Sequence, residues 1–361
     1  MERFAFVIHP LDTSDVARKF PFARFLPARV IEGALKFLPT MKVAHITGVR
    51  SPYAEAEGWF VSCPLTARQI MSLPPDYVVE KVVQAGRLAE RLGAKILGLG
   101  AFTKVVGDAG ISVAQKLKIP VTTGNSYTVA TAVEGAKEAA RLMGHSLDEA
   151  SVAVVGATGA IGRVCAELLA REVRDLTLIG RDINKLEAVA DRILYSTGLA
   201  TKISADLKNS LKKADIVITV TSAVDTVIEP EDLKPGAVIC DVARPRDVSR
   251  RVAAERPDVL VIEGGVVAVP GDVNFNFNFG FPPKTAYACM AETMVLALEQ
   301  RYESFTLGRE LTADKVEEIA QLAKKHGFKL AGFRSFEKAI DTAQIEKIKE
   351  AARQKSAGLT N

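Results

Sequence analysis

Val152-Ala153-Val154-Val155-Gly156-Ala157-Thr158-Gly159-Ala160-Ile161-Gly162 is an apolar run that ends in a G-x-x-G-x-x-G turn and leads into a helical pattern from Arg163 to Arg171. Glycine at those three places lets backbone amides and a helix N-terminus approach a pyrophosphate, with Gly162 permitting close packing of helix on strand. A glycine pattern alone is a weak signal. Here it opens a regular series of short apolar runs: Ser151–Val155, Asp175–Ile179, Ala200–Ser204, Asp215–Val220, Ala237–Asp241 and Val259–Ile262. Six strands with helices between them fit a doubly wound parallel sheet of the Rossmann type. Gly156, Thr158, Gly159, Ala160, Ile161 and Gly162 are therefore the expected cofactor cradle.

The end of the second strand of such a wind separates the two nicotinamide cofactors: a carboxylate binds the ribose of NAD, whereas an Arg accommodates the 2′-phosphate of NADP. The sequence there is Ile179-Gly180-Arg181-Asp182. Arg181 comes first and favours NADPH; the adjacent Asp182 pulls the other way. Thr221 and Ser222, just past the fourth strand, fall where the middle of the cofactor would cross the sheet edge, a position that turn caps also occupy.

Outward from this core, the same alternation of strands and helices runs through all 361 residues, of which 48% are apolar and 25% charged. That balance disfavours disordered, collagen-like and coiled-coil chains. Phe4–His9, Lys42–Val49, Gly58–Cys63, Lys95–Gly100 and Pro120–Thr123 read as strands, and Pro75–Leu92 and Ser126–Met143 as amphipathic helices. After Gly265 comes an Asn/Phe alternation, 274–283, resembling a substrate-side loop, although period two is also what a half-buried strand shows. Helices are expected over Lys284–Arg301, Thr312–His326 and Ser335–Gln354. The expected organisation is an α/β substrate domain over 1–145, an NADP-binding Rossmann domain over 146–266, and a loop with C-terminal helices over 267–361 that packs back on the substrate domain.

Lys plus Arg exceeds Asp plus Glu by four, 47 against 43, with no polybasic run. Nucleic acid is not the expected partner, while an anionic substrate or acidic carrier protein suits the surplus. No apolar run spans a bilayer, and Met1-Glu2-Arg3-Phe4 is not followed by a signal-peptide core, so the expected compartment is the cytoplasm. The four cysteines are scattered and form no CxxC pair, and His9, His45, His145 and His326 show no metal-ligand spacing, so no metal site is expected. A thiolate is a strong nucleophile and is favoured near a helix N-terminus. Cys289 lies in the early turns of the helix expected after Pro282-Pro283, where the dipole helps it only if the helix starts near Tyr287. Cys63, at a strand end, is a second candidate; Cys165 and Cys240 read as packing residues.

Several blocks together resemble the long-chain acyl-[acyl-carrier-protein] reductases of cyanobacterial alkane biosynthesis: Gly98–Thr103, Thr122–Ser126, Val152–Gly162, Glu263–Val267, Tyr287–Glu292 and His326–Phe328. They occur in the same order and extend over roughly residues 1 to 330. More distantly the architecture resembles shikimate dehydrogenase and glutamyl-tRNA reductase. The resemblance implies that Cys289 attacks the thioester of an acyl carrier protein or coenzyme A, and that NADPH reduces the S-acyl enzyme to a fatty aldehyde. It also implies peripheral membrane contact for product release at most. The stretch between Val267 and Tyr287 departs from the cyanobacterial pattern, which bears on chain length and carrier. A competing reading is a shikimate or amino-acid type dehydrogenase with a Lys/Asp pair in its cleft, Lys104 being the candidate lysine. A third is a nucleotide-sensing protein without catalysis.

Overall fold

The computed structural model describes residues 1–104, 107–223 and 225–359. The chain divides into two compact units. One comprises Met1–Asn125, Ala268–Glu310 and Gln321–Lys329; the other comprises Ser126–Val267, Leu311–Ala320 and the chain from Leu330 onward.

The second unit carries a six-stranded parallel sheet in the order Leu260–Glu263, Val238–Asp241, Ile216–Thr219, Ser151–Val155, Asp175–Ile179, Lys202–Ser204. This is the dinucleotide-binding strand order, with its reversal at Ser151–Val155. Successive side chains alternate between two cores. Val152, Val154, Ile216, Ile218, Val238 and Cys240 enter one, while Ala153, Val155, Val217 and Ile239 enter the other. Burial on both faces explains why these strands read as continuous apolar runs. Cys165 and Cys240 are packing residues of the first of these cores.

The first unit has a six-stranded sheet in the order Gly271–Asn274, Lys42–Arg50, Glu55–Ser62, Glu2–Ile8, Leu97–Leu99, Val121–Thr122. The four strands from Glu55–Ser62 to Val121–Thr122 are parallel; Lys42–Arg50 and Gly271–Asn274 each run antiparallel to their neighbour. From the central strand, Glu2–Ile8, the chain winds first to one side and then to the other. The crevice at its carboxyl end is thus a switch point of the kind where α/β sheets bind ligands. Helix Pro75–Arg91 covers one face through Val78, Val82, Val83 and Ala89. Helix Ala288–Leu298, apolar almost all round, packs against Glu2–Ile8 and Leu97–Leu99.

Three expectations are corrected. The helix expected from Lys284 begins only at Ala288: Lys284 sits at φ +61° and Thr285–Tyr287 is extended, so Pro282-Pro283 does not start it. The helix expected from Ser335 is first a hairpin, Phe333–Ser335 with Lys338–Ile340, turning at Phe336 (φ +47°) and Glu337 (φ +72°). That turn is held by the Glu337 amide donating to Glu263 Oε1 at 2.6 Å and by Arg334 donating to the Glu337 carbonyl at 2.7 Å. The helix proper runs over Thr342–Leu359, and Gln344 and Asp341 cap its start reciprocally. The Asn/Phe alternation is strand only to Asn274. Beyond it the asparagines are exposed and the phenylalanines turn inward without forming a ladder.

Candidate functional site

Because the helix starts at Ala288, with extended Tyr287 at its cap, Cys289 lies in the first turn. There the helix dipole favours a thiolate. Three glycines seat this turn on the ends of two strands. A Cβ on Gly124, which is at φ +71°, would stand 2.3 Å from Cys289 Cα; one on Gly98 would stand 2.1 Å from Thr293 Oγ1. A Cβ on Gly100 would come to 3.8 Å from Cys289 Sγ. Gly98, Gly100 and Gly124, from stretches far apart in sequence, thus meet the turn that carries one thiol.

Cys289 is half-buried, whereas the other three thiols are fully buried. Burial pushes Cys63 and Cys165 up to about 12 and Cys240 up as well. The Cys63 alternative therefore lacks both access and a thiolate.

One turn after Cys289 lies Glu292, fully buried. Its Oε1 accepts from Thr122 Oγ1 at 2.5 Å and Thr306 Oγ1 at 2.6 Å, and the two hydroxyls are 2.9 Å apart. This cluster ties the thiol's helix to the Val121–Thr122 strand. Sequence reasoning missed it, because the signal was one acid in an apolar helix and the partners lie 170 and 14 residues away. It also missed His9, at the carboxyl end of the central strand. His9 Nε2 accepts from the Phe102 amide at 3.4 Å and Nδ1 donates to the Pro10 carbonyl at 3.0 Å, which is the neutral ring; desolvation pushes its pKa down. His45 instead stacks on Trp59 and pairs with Glu57 at 3.0 Å. The side chain of Lys104 lies outside the described residues.

An aromatic series leads to the start of the thiol's helix. Phe60 meets Phe279 at 5.7 Å, Phe279 meets Phe281 at 5.4 Å and Phe281 meets Tyr287 at 4.4 Å between ring centres. Phe275 and Phe277 pack on the same Phe60 ring.

In the second unit the glycine turn has the form a pyrophosphate needs. Gly156 is at φ +81°, and a Cβ there would lie 2.7 Å from the Val220 carbonyl oxygen; one on Gly162 would lie 2.3 Å from that of Gly156. Helix Ala160–Leu169 starts at Gly159 with no side chain capping it, so the amides of Ala160, Ile161 and Gly162 have no acceptor within their helix. Beside them is Thr158. These residues fit a dinucleotide phosphate. Arg181 is exposed at the next strand end, while Asp182 is engaged locally, capping helix Ile183–Thr197 through the Lys185 amide at 3.2 Å and pairing with Lys185 Nζ at 3.1 Å. Thr221 places its amide and hydroxyl on Asp247, at 2.9 and 2.5 Å, so its side chain braces the turn; Ser222 is exposed. Among the described residues no group of three His, Cys, Asp or Glu could hold a metal ion, and no helix is long and apolar enough to cross a membrane.

Residues 137–263, within the second unit, match the family model of shikimate / quinate 5-dehydrogenase. The chain is 32% identical over 316 residues to the aminotransferase PigE of Serratia sp. (strain ATCC 39006), a match spanning 86% of this chain and 36% of that protein. It therefore covers only about a third of that relative. It is 30% identical over 287 residues to the long-chain acyl-[acyl-carrier-protein] reductase of Synechococcus elongatus, across 75% of this chain and 80% of the other. With the glutamyl-tRNA reductase of Roseiflexus sp. it shares 27% over 241 residues, 64% of this chain and 52% of the other. NADPH, the cofactor expected from the sequence, accords with relatives of this kind. The chain belongs to the family that includes the long-chain acyl-[acyl-carrier-protein] reductase of Synechococcus elongatus.

Proposed function

We propose that the protein reduces a long-chain acyl thioester, carried on an acyl carrier protein or coenzyme A, to a fatty aldehyde through an S-acyl intermediate on Cys289. The observation that carries this reading is the half-buried Cys289 thiol in the first turn of its helix, whereas the other three cysteines are fully buried in their own cores. In the first step Cys289 Sγ attacks the carbonyl carbon, the carrier sulfur departs and takes up a proton, and the acyl group remains on the protein. The Gly156–Gly162 turn and Arg181 would hold NADPH, whose chemistry there would be transfer of a hydride to the thioester carbonyl, giving the anion of a hemithioacetal and NADP+. Collapse of that adduct expels the Cys289 thiolate and releases aldehyde, the helix dipole favouring the departing sulfur as it favoured the attacking one. Glu292, bound by Thr122 and Thr306, holds the helix end in place and touches no reacting atom in this scheme. The aromatic series ending at Tyr287 supplies an apolar environment suited to an aliphatic chain. We assign catalysis to the first unit and cofactor binding to the second.

Intact-protein mass spectrometry after mixing with palmitoyl-coenzyme A, without NADPH, tests the covalent step. An acyl adduct that maps to Cys289 and disappears on addition of NADPH is expected. Cys289→Ser should lose the adduct and at least ~10³-fold in reduction rate, with NADPH affinity nearly unchanged. No adduct on any cysteine from either carrier would favour a small-acid dehydrogenase.

A further inference from the structure

Between the central strand of the first unit and Lys42, the chain forms three helical pieces that the sequence reading did not anticipate: Thr13–Lys19, Pro21–Phe25 and Ala28–Phe37. They have an inner face, on which Ala23, Ile31 and Leu35 are buried with Val16, Phe20 and Leu38 around them. Burying one face suffices to dock such a helix, and the other is normally polar. Here the outer face is apolar too. Phe22 is 67% exposed, Phe25 77% and Phe37 88%, and Leu26 and Val30 are exposed beside them. Within the helix Ala28–Phe37, Val30 and Phe37 are seven residues apart and so share one stripe.

The charge on this surface is net positive: the first piece, Thr13–Lys19, carries Arg18 and Lys19 against Asp15. From Phe20 to Thr40 the cations are Arg24, Arg29 and Lys36, and the one acid is Glu32. Glu32 turns towards the body of the unit, accepting from Thr66 Oγ1 at 3.4 Å. Arg24 holds its guanidinium 4.9 Å from the Phe25 ring centre, so cation and ring project together.

We infer that this surface binds an anionic lipid bilayer, with the three phenylalanines entering the headgroup–acyl boundary and the arginines pairing with lipid phosphate. Exposed Phe, Leu and Val side chains interleaved with Arg and Lys are the composition of a surface that lies in the headgroup–acyl boundary of an anionic bilayer. The inference holds whatever the substrate, because it concerns binding alone.

Flotation of the full chain with vesicles of 7:3 phosphatidylcholine and phosphatidylglycerol tests it. Binding should exceed that to pure phosphatidylcholine and weaken as salt is raised. The triple variant Phe22→Ser/Phe25→Ser/Phe37→Ser should lose roughly tenfold or more in partitioning. Arg24→Glu/Arg29→Glu should lose the preference for the anionic vesicles. All these side chains are exposed, and unchanged melting curves would show that the variants fold. Failure of the wild-type chain to float, or equal flotation of the triple variant, overturns the proposal. So does a dimer in light scattering that the triple variant converts to monomer, since a second copy would then cover the patch. Binding to an acyl carrier protein that the triple variant abolishes, with vesicles ignored, would make it a protein interface instead.

Discussion

Arg181 and Asp182 are neighbours that sequence alone leaves in competition, one for the phosphate of NADPH and one for the ribose of NAD. Their surroundings separate them. The Asp182 carboxylate caps its helix and pairs with Lys185, which holds its pKa below the usual range and occupies its oxygens. Arg181 remains exposed at the strand end. Arg181→Ala should therefore raise KM for NADPH by about tenfold or more and change that for NADH little, because only the former carries the 2′-phosphate. Steady-state kinetics with both cofactors decide it, and equal changes would remove the assignment. Cys289 shows the same limit of legibility. Its residue type and neighbours named it as a candidate, but its position in the first turn, which gives the dipole argument force, depended on where the helix began.

Among the elements, those with strong periodicity were the ones sequence located best. Ser151–Val155 and Asp175–Ile179 form with the bounds expected, and Pro75–Arg91 ends one residue early. The misplaced elements were those that long-range contacts bend: the Phe333–Ile340 hairpin, pinned by Glu263, and the late start of Ala288–Leu298. The seat of that last helix makes its own prediction. Gly124→Ala would put a methyl 2.3 Å from Cys289 Cα, against backbone that cannot swing aside, at a φ of +71° that a side chain disfavours. A loss of at least ~2 kcal/mol in unfolding free energy is expected, with loss of any Cys289 acylation. Chemical denaturation and adduct mass spectrometry would read both; an unchanged midpoint would contradict this packing.

For the folded molecule as a whole, Asp241 gives a signature in pH. It ends the strand next to the edge of the second unit's sheet, and burial pushes its carboxyl up to about 6, against the pull of Arg244. Its folded pKa lies above its unfolded one, so the folded state binds the proton more tightly. The resulting stabilisation is complete below pH ~4 and is lost as pH rises through about 6. A rise of this size is worth ~3 kcal/mol at most. Asp241→Asn should remove that fall: the gap in unfolding free energy between wild type and variant should change between pH 4.5 and 7.5. A constant gap would show that Asp241 titrates as in the unfolded chain.

The sequence by itself determined the α/β class, the dinucleotide wind and its glycine turn, because these follow from local periodicity and from the steric needs of a tight turn at Gly156 and Gly162. It also singled out the thiol that the proposed chemistry uses. Only the tertiary structure decided what surrounds that thiol. Gly98, Gly100, Gly124, Thr122, Glu292 and Thr306 converge because later strands are laid on both sides of the central strand, and a helix from residue 288 onward closes over them. Such convergence is set by strand order and by which backbones approach within a methyl group's width. Local sequence encodes neither, since the decisive contacts join distant stretches of chain, as Thr122 and Glu292 do across 170 positions.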